Sequence, residues 1–289
     1  MTSWFSFLKG WFLSRNPPWC ADTRDDDNDD DRRVILYETS FSRIYRDENE
    51  RLVHKHIFKP SLYYHEKQIC EWLADKSDTI VSLVGSNDRT QTLFFNEARC
   101  DLMTWFLRYD DDKGESKQFL SQYFPSLVNS LEDLYRNGVE HYDIKPENVL
   151  IFEDGSVRLT DFGLAQWGAS HYFPSTGTFP YMAPELTLPF TDCYVRHSMD
   201  VFSVCTLVVY FIFPRLFVAR DRCMTYDEYH ELAQDASFLF RKNHFPPSFY
   251  SIILHGLEFD PVKRLSIPLF LKKMKRCFVE EKKFFSCLP

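Results

Sequence analysis

The chain has 289 residues, 44% hydrophobic and 26% charged, long enough for one large or two modest domains with a substantial buried core. Its formal charge of −8 gives no sign of a nucleic-acid binder, whose domain would normally be basic. None of the eight cysteines forms a CxxC pair, which argues against a zinc knuckle, and several sit in apolar runs such as SVCTLVV around Cys205. A reduced, intracellular protein, cytoplasmic or nuclear, is the expectation.

Near the start, Trp4, Phe5, Leu8, Trp11 and Phe12 fall at helical spacing, interrupted by Lys9 and Gly10. There is no basic leader, so no cleaved signal peptide is expected, and this stretch is read as docking on the protein or as disordered. Membrane contact through residues 4–13 is the minor alternative, because the aspartates that follow would be repelled by anionic lipid. Thr2 and Cys287 stand at the wrong positions for myristoylation and prenylation. Residues 21–33 carry seven aspartates after Pro17-Pro18, a density of like charge that resists packing. Residues 1–32 therefore read as an acidic, disordered N-terminal extension, with a folded domain over 33–285.

Three strands are expected in VILYE, SRIYR and RLVHKHI between Val34 and Ile57, with DENE as the turn between the last two. PSLYYHEKQICEWLADK predicts a helix whose Leu62, Glu66, Ile69 and Leu73 share a face. TIVSLVG and TLFFNEA predict two more strands. After Asp101 the pattern becomes helical: FLSQYFPSLVNSLEDLYRNG is one helix, stopped by Asn137-Gly138. VFSVCTLVVYFIF, between Asp200 and Pro214, has 13 residues, short of the roughly 20 that cross a bilayer, and predicts a buried core helix. The organisation is an α+β fold: a small sheet-plus-helix lobe over about 33–96, a connector over about 97–100, and a larger, mainly helical lobe over about 101–285.

Within HYDIKPENVL, residues 141–150, an acid (Asp143), an amine (Lys145) and an amide (Asn148) share one short polar loop. Such a set suits transfer of a charged group. Asp161-Phe162-Gly163 follows the strand-like VRLT, so Asn148 and Asp161 supply two oxygen donors of the kind Mg²⁺ accepts. These segments resemble the catalytic loop and D-F-G element of the eukaryotic-type protein kinases, in a divergent member. Further likenesses follow in order. Thr176-Gly-Thr-Phe-Pro-Tyr-Met-Ala-Pro-Glu185 is similar to the end of an activation segment, Asp200-Val-Phe-Ser to the start of the large lobe's central helix, and Asp260-Pro-Val-Lys-Arg264 to the D-P-x-x-R element.

The resemblance implies a two-lobed kinase fold, ATP and Mg²⁺ (or Mn²⁺) as cofactors, and protein substrates. By position, Asp143 would orient the acceptor hydroxyl, Lys145 would neutralise phosphoryl charge, and Asn148 and Asp161 would hold metal. Lys55 in LVHK would pair with nucleotide phosphates and with a helix glutamate. Glu66 is preferred to Glu71 as that partner because it lies on the apolar face. The remaining implied nucleotide contacts are Thr39, Ser40, Phe41, Ser42, Ile44, Val53, Glu97 and Ala98. Thr178 would contact the acceptor, and it joins Lys145-Pro-Glu-Asn in pointing to the serine/threonine branch. Glu185 and Arg264 would form a structural ion pair, with Asp200 also structural.

The likeness has gaps. No glycine occurs between Gly10 and Gly85, so the glycine-rich loop is replaced by Tyr37-Glu-Thr39-Ser-Phe-Ser42. Glycines let backbone N–H groups approach phosphates, and their loss makes a pseudokinase scaffold the alternative. A small-molecule phosphotransferase is the third reading, disfavoured by the A-P-E and D-P-x-x-R elements. Tyr142 replaces an arginine that normally grips an activation-segment phosphate, which bears on regulation rather than on transfer. Ser170, Tyr172, Ser175 and Thr176 are then ordinary surface hydroxyls. His141 reads as a packed structural residue, and His54 and His56 as strand or surface residues without metal-ligand spacing.

Overall fold

The computed structural model describes residues 33–47, 51–108, 118–167, 177–186, 198–217 and 225–286. The N-terminal extension and the hydroxyls of Ser170, Tyr172, Ser175 and Thr176 lie outside them.

The first lobe is an antiparallel sheet of β1 (Arg33–Glu38), β2 (Ser42–Asp47), β3 (Leu52–Ile57), β4 (Leu83–Asn87) and β5 (Thr92–Asn96), in the order β1-β2-β3-β5-β4. Between β3 and β4 runs α1 (Pro60–Leu73). Lys59 is extended and Pro60 opens the helix, where its missing N–H costs nothing. Tyr63, Glu66, Ile69, Cys70 and Leu73 form the buried face of α1, so the apolar stripe expected from the sequence is present with a carboxylate inside it. Tyr63 packs with Ile57 and Leu93 under the sheet, while Ile69 and Leu73 join the main core. The helix thus ties one lobe to the other.

One expected strand is shorter than its pattern. TIVSLVG is rich in β-branched and apolar residues, yet only its last residues enter the sheet. Ile80 instead bridges Leu159, and Leu159 exchanges backbone hydrogen bonds with Thr79 and Val81 at 2.9 Å each. The backbone groups of this stretch are satisfied by the second lobe, which periodicity cannot reveal.

The second lobe begins with β6 (Cys100–Asp101) and α2 (Leu102–Arg108), where Asp101 accepts the Thr104 N–H as a helix cap. The helix expected over 119–138 is divided. A π-helical turn spans Phe119–Tyr123, and α3 runs from Phe124 to Arg136. Pro125 supplies no N–H and marks the change. Gly138, at φ +69°, ends the segment. Next come β7 (Val139–Glu140), β8 (Val149–Ile151), β9 (Val157–Leu159) and β10 (Gln166–Trp167). These short strands frame two loops, His141–Asn148 and Thr160–Ala165.

Thereafter the lobe is helical: α4 (Met199–Ile212), α5 (Tyr226–Lys242), α6 (Pro247–Gly256), α7 (Ile267–Glu280) and α8 (Lys282–Ser286). Residues Met199–Phe211 of α4 are all buried, so it is the axis of the lobe. Gly256 of α6 lies so close that a Cβ there would stand 2.2 Å from Cys205 Sγ, and only glycine permits this crossing. No described helix is long and apolar enough to cross a membrane.

Candidate active site

Strand alternation sorts β3 into two faces. Val53, Lys55 and Ile57 point toward α1 and the second lobe, while His54 and His56 point the other way. Lys55 Nζ donates to both Glu66 oxygens, at 2.7 and 2.8 Å, and to Asp161 Oδ1 at 2.7 Å. Glu71 stays at the surface beside Lys67. Burial opposes the charge of Lys55, yet Asp161 and Glu66 outweigh it and hold the ammonium well above its ordinary range. Burial pushes the Glu66 carboxyl upward against the pull of Lys55. Asp161 is also resisted by burial, but Lys55, then Lys145, keep it below the usual carboxylate range.

The 141–148 loop is held from beneath. Asp200, in the first turn of α4, accepts the N–H groups of His141 (2.8 Å) and Tyr142 (2.9 Å), one on each oxygen. Tyr142 has φ +64°, a left-handed conformation that a tyrosine rarely adopts, and these bonds help keep it there. Burial pushes Asp200 up to about 7 against the pull of the two amides, with Glu140 adding to the rise. Asp200→Asn would turn an amide NH₂ toward one of those donors. A loss of about 1–3 kcal/mol is expected, read as a lower urea midpoint.

Tyr142 itself is buried, and its hydroxyl donates to the Glu140 carboxylate. Its ring therefore points into the core, away from the polar edge of the loop. His141 is fully buried and packs 5.0 Å from the Phe162 ring. Its Nε2 bonds the Thr160 carbonyl at 3.0 Å and its Nδ1 accepts the Asp143 N–H at 3.3 Å, which places the ring hydrogen on Nε2. Burial holds its pKa below the ordinary imidazole value.

On the polar edge, Asp143 Oδ1 accepts from the Thr178 hydroxyl at 2.8 Å. Its Oδ2 meets Lys145 Nζ at 2.8 Å and Asn148 Nδ2 at 3.1 Å. Lys145 also donates to Thr178 Oγ at 2.9 Å, so acid, amine and hydroxyl close a ring. Burial opposes the Lys145 charge, but Asp143 raises its pKa above the ordinary lysine range. Asn148 spends its amide nitrogen on Asp143, through the backbone carbonyl as well as the side chain, which leaves its oxygen as the atom that could meet a cation. That oxygen and the ionised Asp161 are hard donors from adjacent loops, a set that fits Mg²⁺.

The loop between β1 and β2 stands where a glycine-rich loop was expected. Thr39 Oγ accepts the N–H groups of Phe41 (3.1 Å) and Ser42 (3.0 Å), which occupies the two tip amides from within. Phe41 is 63% exposed, and Ser40 is exposed beside it. Ile44 lies opposite Lys55, and Val53 opposite Phe95, both on the inner face. In the connector, the Glu97 carboxylate meets Arg46 at 3.3 Å and the Arg99 N–H donates to Ile151. Ala98 lies between them in the same connector.

Away from the cleft, Arg264 clamps Glu185 through Nη1–Oε1 at 2.5 Å and Nη2–Oε2 at 2.8 Å. Their side chains are 0% and 1% exposed. Sequence reasoning missed the Tyr142–Glu140 bond, because an i, i+2 pair faces one way only in an extended segment. It also missed the Thr39 acceptor, although a threonine two residues before an exposed loop tip is a readable side-chain turn.

A family model for the protein kinase domain matches residues 42–274. The chain belongs to the protein kinase domain family. It is similar to the serine/threonine-protein kinase chk1 of Schizosaccharomyces pombe, 30% identical over 178 residues covering 56% of this chain and 33% of the relative. It is also similar to CBL-interacting serine/threonine-protein kinase 5 of Arabidopsis thaliana, 30% identical over 158 residues, 52% of this chain and 34% of that one. Serine/threonine-protein kinase grp of Drosophila melanogaster is 36% identical over 109 residues, 36% and 21% of the two chains. The aligned part of this kinase domain spans about a third of the length of the first two relatives.

Proposed function

We propose that this kinase domain is a serine/threonine protein kinase that moves the γ-phosphoryl group of ATP to protein hydroxyls. The observation that carries the proposal is the closed ring of Asp143, Lys145 and Thr178. A hydroxyl already sits between the acid and the amine, as an acceptor serine or threonine would. Asp143 would orient that acceptor hydroxyl and take its proton, while Lys145 would neutralise charge on the transferring group. Lys55, held by Glu66, would meet the nucleotide phosphates, with Ile44, Val53, Glu97, Ala98 and residues 39–42 around the rest of the nucleotide. Asn148 and Asp161 would hold Mg²⁺, which neutralises charge on the β- and γ-phosphates when bound.

The domain would span 33–285, with lobes over 33–96 and 101–285 joined at 97–100, and 1–32 as an extension. With Tyr142 turned inward to Glu140, the loop offers no cation there for an activation-segment phosphate. Activity would then be independent of phosphorylation through that route.

The pseudokinase alternative is favoured by one observation, the capture of the Phe41 and Ser42 amides by Thr39. Thr39→Gly releases both. It is expected to tighten nucleotide binding by roughly tenfold, less than one charge-assisted hydrogen bond can supply. Titration calorimetry with Mg-ATP and Mg-ADP reads this directly, and a weaker variant would mean that the hydroxyl itself serves the phosphate.

The test of the main proposal is transfer of label from [γ-³²P]ATP to a generic basic protein and to the chain itself, with Mg²⁺ or Mn²⁺. Label on serine or threonine supports the kinase. No label and no ATP-dependent thermal shift would leave the scaffold.

A further inference from the structure

Helix α1 does more than bring Glu66 to Lys55. The Glu66 carboxylate lies against the 160–165 loop, where a Cβ at Gly163 would stand 3.4 Å from its Oε2. His65, one residue earlier, projects about 100° around the helix from Glu66. It reaches the far end of the same loop, where its Nε2 meets the Ala165 carbonyl at 2.7 Å. A carbonyl oxygen only accepts, so Nε2 carries the hydrogen. Ala165 is fully buried, and its own N–H donates to the Phe162 carbonyl at 3.1 Å, closing a turn. Gln166 and Trp167 then pair with Glu140 and Val139, as β10 against β7. The Trp167 indole stands nearly perpendicular to the His65 ring, with centroids 6.5 Å apart. His65 thus meets the chain at the point where the loop becomes strand.

The near end of the loop is under backbone strain. Asp161 has φ +64°, a left-handed conformation uncommon for a residue with a Cβ. Such a conformation persists where its surroundings over-determine it. Lys55 fixes the Asp161 side chain at 2.7 Å, and the His141 ring fixes the Thr160 carbonyl before it. The chain beyond Phe162 is fastened by the Phe162–Ala165 turn, by the β10–β7 pairing and by His65. Of these three, only His65 belongs to the helix that carries Glu66.

We propose that His65 is a positioning residue for phosphoryl transfer, whose N–H bond to the Ala165 carbonyl seats the Asp161–Ala165 turn on α1. The helix then sets both partners of Lys55 together, Glu66 from its own turn and Asp161 through the loop. This rests on the kinase reading above. The bond needs no phosphate to form, which fits a catalytic loop whose Tyr142 turns inward to Glu140.

Two variants separate the N–H from the ring. His65→Phe keeps a planar ring beside Trp167 and fills the space, so water does not readily replace the lost donor. His65→Gln gives up the ring, but its amide nitrogen can donate where Nε2 did. Transfer of label to a generic basic protein and amide hydrogen–deuterium exchange are measured on the full chain. His65→Phe should lower kcat by about tenfold with the acceptor KM little changed, the factor that one lost hydrogen bond of this kind gives. It should speed exchange across residues 161–167 by a similar factor and leave α4 and α7 as in the wild type, because the opening is local. His65→Gln should restore most of both. Wild-type behaviour of His65→Phe would overturn the proposal, as would a His65→Gln variant no better than His65→Phe. Faster exchange with kcat unchanged would overturn it too, since the bond would then be structural only. If the wild type transfers no label, the kinase reading falls and the role in transfer falls with it, whereas the exchange data alone still decide whether His65 holds the turn.

Discussion

Asp143→Asn is expected to lower phosphoryl transfer by roughly 10²–10⁴-fold, the range associated with loss of a positioned acid–base group. The substitution keeps one oxygen to accept from Thr178, so the loop should hold its shape. Its new amide nitrogen, however, faces Lys145 and the nitrogen of Asn148, where the native oxygen accepted from both. Lys145 would lose its anchor, and the acceptor hydroxyl would lose the base proposed for it. Nucleotide affinity should change little, because Lys55 and its two carboxylates are untouched. Lys55→Met should also abolish label, but by a separate route that weakens nucleotide binding, since it leaves Glu66 and Asp161 facing each other without a cation. Steady-state rates and calorimetry on both variants separate the two effects. Transfer by Asp143→Asn at the wild-type rate would sink the assignment of Asp143.

The second large effect is on stability. Arg264→Ala removes a guanidinium that clamps Glu185 through both oxygens, donates from Nε to the Glu258 carbonyl at 2.9 Å, and stacks 5.0 Å above the Phe202 ring. The glutamate would remain as a buried charge without its partner, a situation that costs about 3–5 kcal/mol. Replacing both residues, as in Glu185→Leu with Arg264→Met, should recover much of that loss because no charge is stranded. Urea unfolding followed by tryptophan fluorescence and by far-ultraviolet circular dichroism would read both variants. A single variant no less stable than the double would contradict a buried, mutually dependent pair.

Much of this molecule was legible in its residue pattern, for reasons that differ from place to place. The strand expected in RLVHKHI has a two-residue period, which puts Lys55 on the same face as Val53 and Ile57. Glu66 sits within an apolar helical stripe, so both periodicities aim the two charges at the same interior. The Glu185–Arg264 pair was expected from the family resemblance, since 79 positions separate its members and no local rule joins them. Other features had no local signature. The Thr79–Val81 stretch looks like a sheet strand, yet its hydrogen bonds go to Leu159, because register across lobes is set by tertiary packing. The division of the long helix at Pro125 was marked by that proline and passed over. His54 and His56 read as ordinary strand residues one at a time. Only the β2–β3 register, which puts them beside Arg43 and Tyr45, shows the hollow that they help line.

The buried imidazole of His141 has a consequence for the entropy of binding. One neutral ring joins the Asp143 amide, the Thr160 carbonyl and the Phe162 side chain, so the loops bearing Asp143 and Asp161 are fastened to each other by an uncharged rivet. Their relative freedom is lost when the chain folds, and little of it remains to be lost when a ligand arrives. The β1–β2 loop is more open, exposed at Phe41 and held by the Thr39 hydroxyl together with two backbone bonds, Thr39 N–H to the Ser42 carbonyl at 2.8 Å and Phe58 N–H to the Phe41 carbonyl at 2.9 Å. The ordering cost of a nucleotide would therefore fall more on the exposed roof of the cleft than on a floor whose two loops are fastened to each other beforehand.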